Sequence, residues 1–391
     1  MSDRRAASGL LTSPPAWLFV ALIAVRALAL GLVIAGATRH PVNDPVVLRA
    51  ERVATSPAHP YLDFPAGAMP LETVLARTLG GGGAEATAVK MALLAFVADL
   101  GAAAAMFWGW GRRPAATYLL VGLPLLSFIY LRFDLVSVAL AAWAVALMRR
   151  RGDDVVGGAA FGLAIWAKLW PVVLLPLLWI VRARRAAMVL AGLVVLGGAG
   201  WYLSGGPKGP LQVLTQRGAV GWAAQSTMGN LLTVLTGSPV APEGAVARIG
   251  TATTSVKGLL LIGLLVCELA VWWRALADQH RDASGATALV AVTIPLIFAP
   301  ILSLQYLAWL LPWTAFAFEG DGRERSAGAL ATLAIALTGL LGLASPLTPP
   351  RLTEEVVTLG RNGLLIAVVV TWLVSGRSMA GRDARVAAAH S

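Results

Sequence analysis

Apolar stretches of about 20 residues recur along almost the whole chain, from Trp17 to Val374, and they limit the possible folds more than any other feature. Hydrophobic residues make up 58% of the 391 residues and charged residues only 13%, whereas soluble domains are about 25% charged. The polar blocks between the stretches are too short to be separate domains. The sequence therefore predicts an all-α membrane protein whose single multi-span domain covers residues 16–376, between tails at 1–15 and 377–391.

Eight of the stretches are predicted to cross the bilayer once, at roughly residues 17–38, 86–108, 115–130, 134–148, 186–203, 257–273, 327–343 and 357–374. Two more stretches, 155–181 and 286–318, have arginines at both ends, so each is predicted to form a hairpin of two short helices. The turns are expected near 168–171 and 300–306. An arm of about 13 residues is only about 20 Å long, so the first turn must be shielded by protein or water. About twelve transmembrane helices result.

The distribution of arginines predicts the orientation, because cytoplasmic loops are enriched in positive charge. Twelve arginines lie in the short loops on the side of the termini, which places both tails in the cytoplasm of a multi-pass cell membrane protein. The two long loops, 39–85 and 204–256, are then extracytoplasmic. The net charge of +11 is spread between spans rather than gathered into a patch, so no nucleic-acid partner is expected. The lone Cys267 excludes thiolate-held cofactors, and no cofactor is predicted.

The first long loop contains two candidate catalytic carboxylates, Asp44 and Asp63. A loop of this length between two spans is more often functional than idle. The alternative interpretation is that Asp44 caps a turn ahead of Pro45 and that Asp63 is simply solvated.

Four basic residues lie at extracytoplasmic helix ends: Arg132, Lys168, Arg217 and Arg361. Charges at membrane depth are costly and are functional candidates by default. Such a cluster suits a phosphate group at the membrane interface. The alternative is that each side chain simply extends to the interface, which is hardest to accept for Lys168 at the tip of a short hairpin.

Two further charges, Arg26 and Asp99, are predicted to lie about 13 Å from the cytoplasmic ends of neighbouring helices. Since an unpaired charge at this depth costs at least about 2.5–3.5 kcal/mol, we expect them to form a structural pair. The run of four glycines at residues 80–83 is expected to give flexibility before the second span.

Several short motifs occur in a fixed order on the predicted extracytoplasmic side. Asp44 precedes a Pro-Tyr-Leu-Asp-Phe run at 60–64, and the later motifs are Arg132-Phe133-Asp134, Ala-Lys-Leu-Trp-Pro at 167–171, Gln-Arg-Gly at 216–218 with Gln225-Ser226, and Ser-Leu-Gln-Tyr at 303–306. Together they resemble the polyprenol-phosphate-sugar-dependent integral membrane glycosyltransferases of the C-type superfamily, and most of all glycosyltransferase family 87 of actinobacteria. Three segments depart from the family pattern: Leu48 replaces a Tyr, residues 67–70 replace Glu-Tyr-Pro-Pro, and Gln225 replaces a Glu.

The resemblance implies an inverting transfer of a sugar, with mannose favoured, from a polyprenyl-phosphate donor to a lipid or glycan acceptor on the extracytoplasmic face. It implies Asp44 as general base with Asp63 as helper or acceptor-sugar ligand, and no metal ligands are predicted. The predicted donor-phosphate ligands are Lys168, Arg217, Arg132 and Arg361. The predicted sugar or acceptor ligands are Tyr61, Asp134, Gln225, Ser226, Gln305 and Tyr306.

The sequence leaves two other classes of function open. A transporter or flippase for a lipid-linked sugar would also gather cations at the interface, but no matching halves of the kind expected for alternating access occur in the sequence. A non-catalytic assembly subunit is the other alternative, because the Glu-Tyr-Pro-Pro motif is missing.

Overall fold

The chain is almost wholly helical, as the sequence predicts. The computed structural model describes residues 14–55, 69–205, 221–237, 241–243, 246–250, 254–277, 283–320, 322–344 and 351–374. In chain order the α-helices of these ranges are α1 (Ala16–Arg39), α2 (Pro45–Thr55), α3 (Pro70–Leu79), α4 (Ala84–Trp110), α5 (Arg112–Val121), α6 (Leu126–Ile129), α7 (Asp134–Arg151), α8 (Val155–Ala167), α9 (Pro176–Ile180), α10 (Arg184–Gly205), α11 (Thr227–Thr236), α12 (Thr254–Ala277), α13 (Ala286–Phe298), α14 (Leu311–Ala317), α15 (Gly322–Ala344) and α16 (Arg351–Val374). Three short 3₁₀ helices add to them, at Leu123–Leu125, Trp170–Leu174 and Leu304–Leu310.

Six helices in the described ranges are long and apolar enough to cross a membrane, and they lie within α1, α4, α10, α12, α15 and α16. Their outward faces carry large apolar side chains. Leu203 on α10 is 82% exposed and Trp17 on α1 is 68% exposed, as is expected of surfaces that contact lipid. The chain is therefore a membrane protein, and the full set of twelve spans stays a prediction.

Helix α7 lies at the centre of the bundle and packs against α4 and α8. Small residues allow this: Ala141, Ala142 and Ala144 on α7 are fully buried. A Cβ added to Gly109 of α4 would lie 2.8 Å from the Cβ of Ala146. Close approach through small residues is the usual way in which helices pack within a bilayer.

Both predicted hairpins have breaks where the sequence placed them. Helix α8 ends at Ala167, and Lys168 takes an extended conformation (φ −153°, ψ 143°) before the 3₁₀ helix at Pro171. Helix α13 ends at Phe298, and the chain re-enters helical structure at Leu304. The two breaks are confirmed.

One predicted span differs in the structure. The stretch 115–130 was expected to be a single helix, but α5 ends at Val121 and is followed by a 3₁₀ turn at Leu123–Leu125 and the short α6. Pro124 within this turn has no N–H to donate and disfavours helical geometry in the residue before it. The break places Tyr118 and Tyr130 on separate elements.

The predicted pair of Arg26 and Asp99 is confirmed. The Arg26 Nε donates to Asp99 Oδ2 over 2.8 Å, and both side chains are fully buried. The hydroxyls of Tyr118 and Tyr130 also donate to Asp99, over 2.8 Å and 3.0 Å. The pair joins α1 to α4 and α5 in the interior.

The glycine run at 80–83 has a definite structural role. Gly81, Gly82 and Gly83 all have positive φ angles (85°, 97° and 95°), a region that other residues rarely adopt. This conformation lets the Glu51 carboxylate on α2 accept hydrogen bonds from the Gly81 and Gly83 amides, over 2.8 Å and 3.1 Å, and from the Thr87 hydroxyl. The run therefore fixes α2 onto the start of α4, in place of the flexibility expected from the sequence.

A small antiparallel sheet, which the sequence did not predict, forms part of the second long loop. Its strands are β1 (Trp222–Ala223), β2 (Ala241–Glu243) and β3 (Val246–Ile249), in the order β1-β3-β2. The Ala223 amide donates to the Pro300 carbonyl over 2.9 Å. This bond ties the sheet to the turn that follows α13.

Candidate functional site

Asp44 lies directly before α2 and makes two kinds of contact. Its Oδ1 accepts hydrogen bonds from the amides of Val46 (2.9 Å) and Val47 (3.3 Å), so it caps the helix. Its Oδ2 accepts from the Arg132 Nη1 over 2.8 Å. The Asp44 side chain is 20% exposed and the Arg132 side chain 18%. The capping predicted as the alternative for Asp44 is therefore real, and the carboxylate also holds one of the predicted phosphate ligands.

A groove of about 570 Å³ opens beside Asp44. One wall is the C-terminal half of α1, and the other is the region of α6. Its polar end is formed by His40, Asn43 and Asp44, whereas the walls are largely apolar. The groove is lined by Ala29, Leu32, Val33, Gly36, Ala37, His40, Pro41, Val42, Asn43, Asp44, Leu126, Ser127 and Leu131.

Lys168, at the tip of the first hairpin, pairs with a carboxylate that the sequence analysis did not single out. Its Nζ donates to Glu72 Oε2 over 2.9 Å, with side-chain exposures of 18% and 9%. Glu72 lies in the first turn of α3, two residues after Pro70, which begins the helix. The pair bridges 96 positions of sequence and fixes α3 over the hairpin.

Asp134, the first residue of α7, is buried and lies among aromatic rings. Its Oδ1 accepts from Trp309 Nε1 over 2.8 Å. The Trp309 ring stacks on Tyr306, with centroids 4.4 Å apart, and on Trp170, with centroids 5.6 Å apart. The predicted sugar ligands Asp134 and Tyr306 are thereby brought together, and Gln305 lies beside Tyr306 in the same 3₁₀ helix.

The start of α7 connects these two groups into one band of alternating charge. Asp134 interacts electrostatically with both Arg132 and Lys168, so the order along the band is Asp44, Arg132, Asp134, Lys168 and Glu72. Three carboxylates face two cations, which leaves one carboxylate in excess. We call these five residues the charged band.

Arg361 lies elsewhere, in the third turn of α16, and is fully buried. Its Nη2 donates to the Gln225 carbonyl, and Nε and Nη2 donate to Asn362 Oδ1 over 3.1 Å and 3.0 Å. Within the described residues, Arg361 has no carboxylate partner and its Nη1 has no hydrogen-bond partner. Ser226 caps α11 by accepting from the Gly229 amide over 3.1 Å.

Three predicted site residues, Tyr61, Asp63 and Arg217, lie outside the described residues, and so do most of the two predicted tails. Across the part of the chain that the structure describes, no group of three His, Cys, Asp or Glu side chains is placed to hold a metal ion.

Comparisons with known proteins add one distant likeness. No family model matches the sequence, and no curated protein matches it. Among solved structures, the chain is similar to the crystal structure of the apo oligosaccharyltransferase of Archaeoglobus fulgidus, with a TM-score of 0.37 and 14% sequence identity. The match covers 88% of this chain, which spans 56% of the length of that protein.

The residues missed from the sequence are Glu72, Trp309 and Trp170. One signal for Glu72 was available: it is the acid of the first turn in an amphipathic segment that begins with Pro70. Trp170 also had a signal, because it lies within the Ala-Lys-Leu-Trp-Pro motif at 167–171. Trp309 gave none, because tryptophans near span ends are ordinary features of a membrane interface. Their role depends on contacts between α7, the hairpin tip and the 3₁₀ helix at Leu304–Leu310.

Proposed function

We propose that this protein transfers a sugar from a polyprenyl-phosphate donor to a lipid or glycan acceptor at the extracytoplasmic membrane face, with inversion. Mannose is the sugar that the family resemblance favours. The observation that carries the proposal is the apolar groove along α1 that ends at the Asp44 carboxylate. A substrate with a long apolar tail and a polar reacting head fits this arrangement.

The groove supports a lipid-linked substrate through its shape and chemistry. Leu32 and Val33 on α1 form part of its apolar wall. His40, Asn43 and Asp44 supply polar groups at one end of the groove. Its volume of about 570 Å³ falls in the range of about 300–1,000 Å³ that is usual for ligand sites. The isoprenoid would lie along α1, with its phosphate and sugar beside α2.

Asp44 is our proposed general base. It takes the proton of the acceptor hydroxyl while the hydroxyl oxygen bonds to the anomeric carbon and the polyprenyl phosphate departs. The ion pair with Arg132 favours this step electrostatically. Protonation removes the negative charge of Asp44, so the positive charge of Arg132 becomes available to the departing phosphate. Asp63 is proposed as helper.

The other proposed phosphate ligands differ in how well their charge is compensated. Lys168 is paired with Glu72, whereas Arg361 is buried without a carboxylate partner among the described residues. A buried cation without a partner is costly, so an anionic ligand would stabilise it. Arg361 therefore has the stronger physical case as an anion ligand, at a place outside the lining of the groove, and Arg217 is proposed from the resemblance. Gln225 and Ser226, beside Arg361, are proposed ligands of the sugar or acceptor, as are Tyr61, Asp134, Gln305 and Tyr306.

A transporter or flippase of lipid-linked sugar is the second candidate function. The same groove favours it, because a transporter also needs an apolar path beside a polar head site. It differs in outcome: the lipid-linked sugar would cross the membrane intact, and no glycosidic bond would form. A non-catalytic assembly subunit would do neither.

The test is transfer of radiolabelled mannose from polyprenyl-phosphate mannose in membranes that contain the wild type, Asp44→Asn or Asp153→Asn. Asn is as good a helix cap as Asp, so Asp44→Asn keeps α2 while removing the base, and we expect transfer to fall at least about 100-fold. Asp153 caps the start of α10 from a loop, accepting from the Ala186 amide over 2.9 Å, and serves as the matched control with unchanged transfer.

Two outcomes contradict the proposal. Equal transfer by Asp44→Asn and the wild type would remove Asp44 as the base. Absence of transfer from mannose, arabinose and glucose donors, together with movement of intact lipid-linked sugar across vesicles, would establish the transporter instead.

A further inference from the structure

Three stacked aromatic rings lie beside the charged band. Trp309 stands in the middle, with an interplanar angle of 23° to Tyr306 and 13° to Trp170. The Trp309 Nε1 bond to Asp134 and the extended Lys168, two positions before Trp170, hold the stack against the band. We call Tyr306, Trp309 and Trp170 the aromatic stack.

Tyr306 is the accessible end of the stack. Its side chain is partly exposed, while Trp170 at the other end is only 5% exposed. The rigid rings behind it fix the orientation of the Tyr306 ring. A flat, fixed and partly exposed aromatic face offers its π surface to the weakly polar C–H face of a ligand.

Hydrogen-bonding capacity remains around this face. In the part of the chain that the structure describes, the Tyr306 hydroxyl, Asp134 Oδ2 and Glu72 Oε1 make no hydrogen bond. Lys168 uses one of its three N–H donors for Glu72. Two acceptors, one hydroxyl and spare lysine donors therefore belong to residues of the aromatic stack or to residues that interact with it directly or through Lys168.

The charge of the band decides which ligand suits this place. Lys168 is flanked by Glu72 and Asp134, so the two carboxylates outnumber the cation. Such a site repels a phosphate and accepts hydrogen bonds from neutral hydroxyl groups. A ligand with one apolar face and a rim of hydroxyls satisfies both the ring and the carboxylates.

We propose that the aromatic stack, with Glu72, Asp134 and Lys168, is a subsite for a neutral sugar ring, which packs on Tyr306 and bonds its hydroxyls to the two carboxylates. The proposal rests on the proposed function in taking this ring to be the sugar of the lipid-linked donor. It gives Lys168 a role on the sugar instead of the phosphate. It also gives roles to Glu72, Trp309 and Trp170, which the family resemblance left without any.

The test measures equilibrium binding of two lipids to the purified full chain in detergent: short-chain polyprenyl-phosphate mannose and sugar-free polyprenyl phosphate. Tyr306→Ala removes the ring and is expected to weaken binding of the mannosyl lipid about tenfold while leaving the sugar-free lipid unchanged. Tyr306→Phe keeps the ring and removes only the hydroxyl, so it is expected to weaken binding of the mannosyl lipid less than Tyr306→Ala does and to leave the sugar-free lipid unchanged. Trp309→Phe keeps the stack but removes the donor to Asp134, and a loss of about threefold for the mannosyl lipid alone is expected.

Three results would overturn the subsite: equal binding of the two lipids by the wild type, an equal loss for both lipids in Tyr306→Ala, or no loss for either. Measuring binding separately from transfer keeps the two proposals distinguishable. Sugar-dependent binding without any transfer would refute the proposed transfer reaction and leave the subsite standing. If Tyr306→Ala binds both lipids normally and still transfers the sugar, the subsite is refuted and the proposed transfer reaction stands.

Discussion

The interior pair and the pairs of the charged band have almost the same geometry but different surroundings. The N–O distances are 2.8 Å for Arg26–Asp99, 2.8 Å for Arg132–Asp44 and 2.9 Å for Lys168–Glu72. Side-chain exposure is zero for both partners of the first pair, whereas Asp44 is 20% exposed. Pairs with the same contact geometry therefore lie in different surroundings, one wholly inside the bundle and the others with part of their side chains exposed.

Hydrogen bonding shows the same contrast. Both oxygens of Asp99 are used within the protein, by Tyr118 on one side and by Arg26 and Tyr130 on the other. In the charged band, Asp134 and Glu72 each use one oxygen for a side chain of the described residues. The interior pair therefore holds helices together, whereas Asp134 and Glu72 each keep one oxygen without a hydrogen bond among the described residues.

The largest effect is expected from breaking the interior pair. Asp99→Ala leaves a buried arginine and two buried tyrosine hydroxyls without their acceptor, which should cost about 3–5 kcal/mol of folding stability. Thermal unfolding in detergent measures the loss. The double variant Arg26→Leu/Asp99→Leu removes both charges and should be less destabilised than Asp99→Ala. If Asp99→Ala unfolds at the wild-type temperature, Asp99 is not the anchor of α1.

A smaller effect is expected from crowding the same pair. A Cβ on Gly122 would lie 2.8 Å from Arg26 Nη2 and 3.2 Å from the Tyr118 carbonyl oxygen, so Gly122→Ala must displace a fully buried guanidinium, at about 1–3 kcal/mol. The matched control is Gly101→Ala in α4, where the new Cβ would lie 3.9 Å from that of Ala139. The same unfolding assay should show no loss for Gly101→Ala; equal losses for the two variants would remove the explanation.

The pair of Lys168 and Glu72 should matter less for folding. Glu72→Gln keeps the size of the side chain and lowers stability by about 1–2 kcal/mol, because the partners are partly exposed. We expect binding of a sugar-bearing lipid to fall more clearly than the unfolding temperature. A stability loss as large as that of Asp99→Ala would show that the band is as structural as the interior.

The smallest effect concerns the pH dependence of stability through Glu51. The hydrogen bond from Thr87, followed by those from the Gly81 and Gly83 amides, holds the pKa of Glu51 below its ordinary value of 4.5. A lowered pKa in the folded state contributes stability at pH values above 4.5, and this contribution is lost as the pH falls through the lowered pKa. Unfolding temperatures measured from pH 7 down to about pH 3 should fall less steeply for Glu51→Gln than for the wild type. Parallel curves would show that Glu51 does not contribute.

Local chemistry allowed much of the fold to be predicted from the sequence. The cost of lone charges in a membrane predicted the pair of Arg26 and Asp99. The arginines at both ends of the stretch 155–181 predicted a hairpin with its turn near 168–171. Each inference used only the positions of charged residues along the chain and the free-energy cost of placing such charges within a membrane.

The parts that could not be predicted depend on contacts between distant segments. Glu72 meets Lys168 across 96 positions, and Trp309 meets Asp134 across 175. No periodicity encodes such contacts, since they follow from how α3, α7 and the two hairpins pack. The interruption at Pro124 was not predicted, although a proline inside an apolar stretch disfavours one continuous helix.

The shortness of α8 has a consequence for the surrounding lipid. Its 13 residues extend about 20 Å, and Leu163 on its outer face is 40% exposed. Where α8 lies in the bilayer, as the sequence predicts, acyl chains that border this face meet an apolar surface about 10 Å shorter than an ordinary bilayer core, so they must compress or tilt, at a fraction of a kcal/mol per Å. Thicker membranes raise this elastic cost and thinner ones relieve it, which makes lipid chain length a physical variable for the stability of the hairpin that carries Lys168.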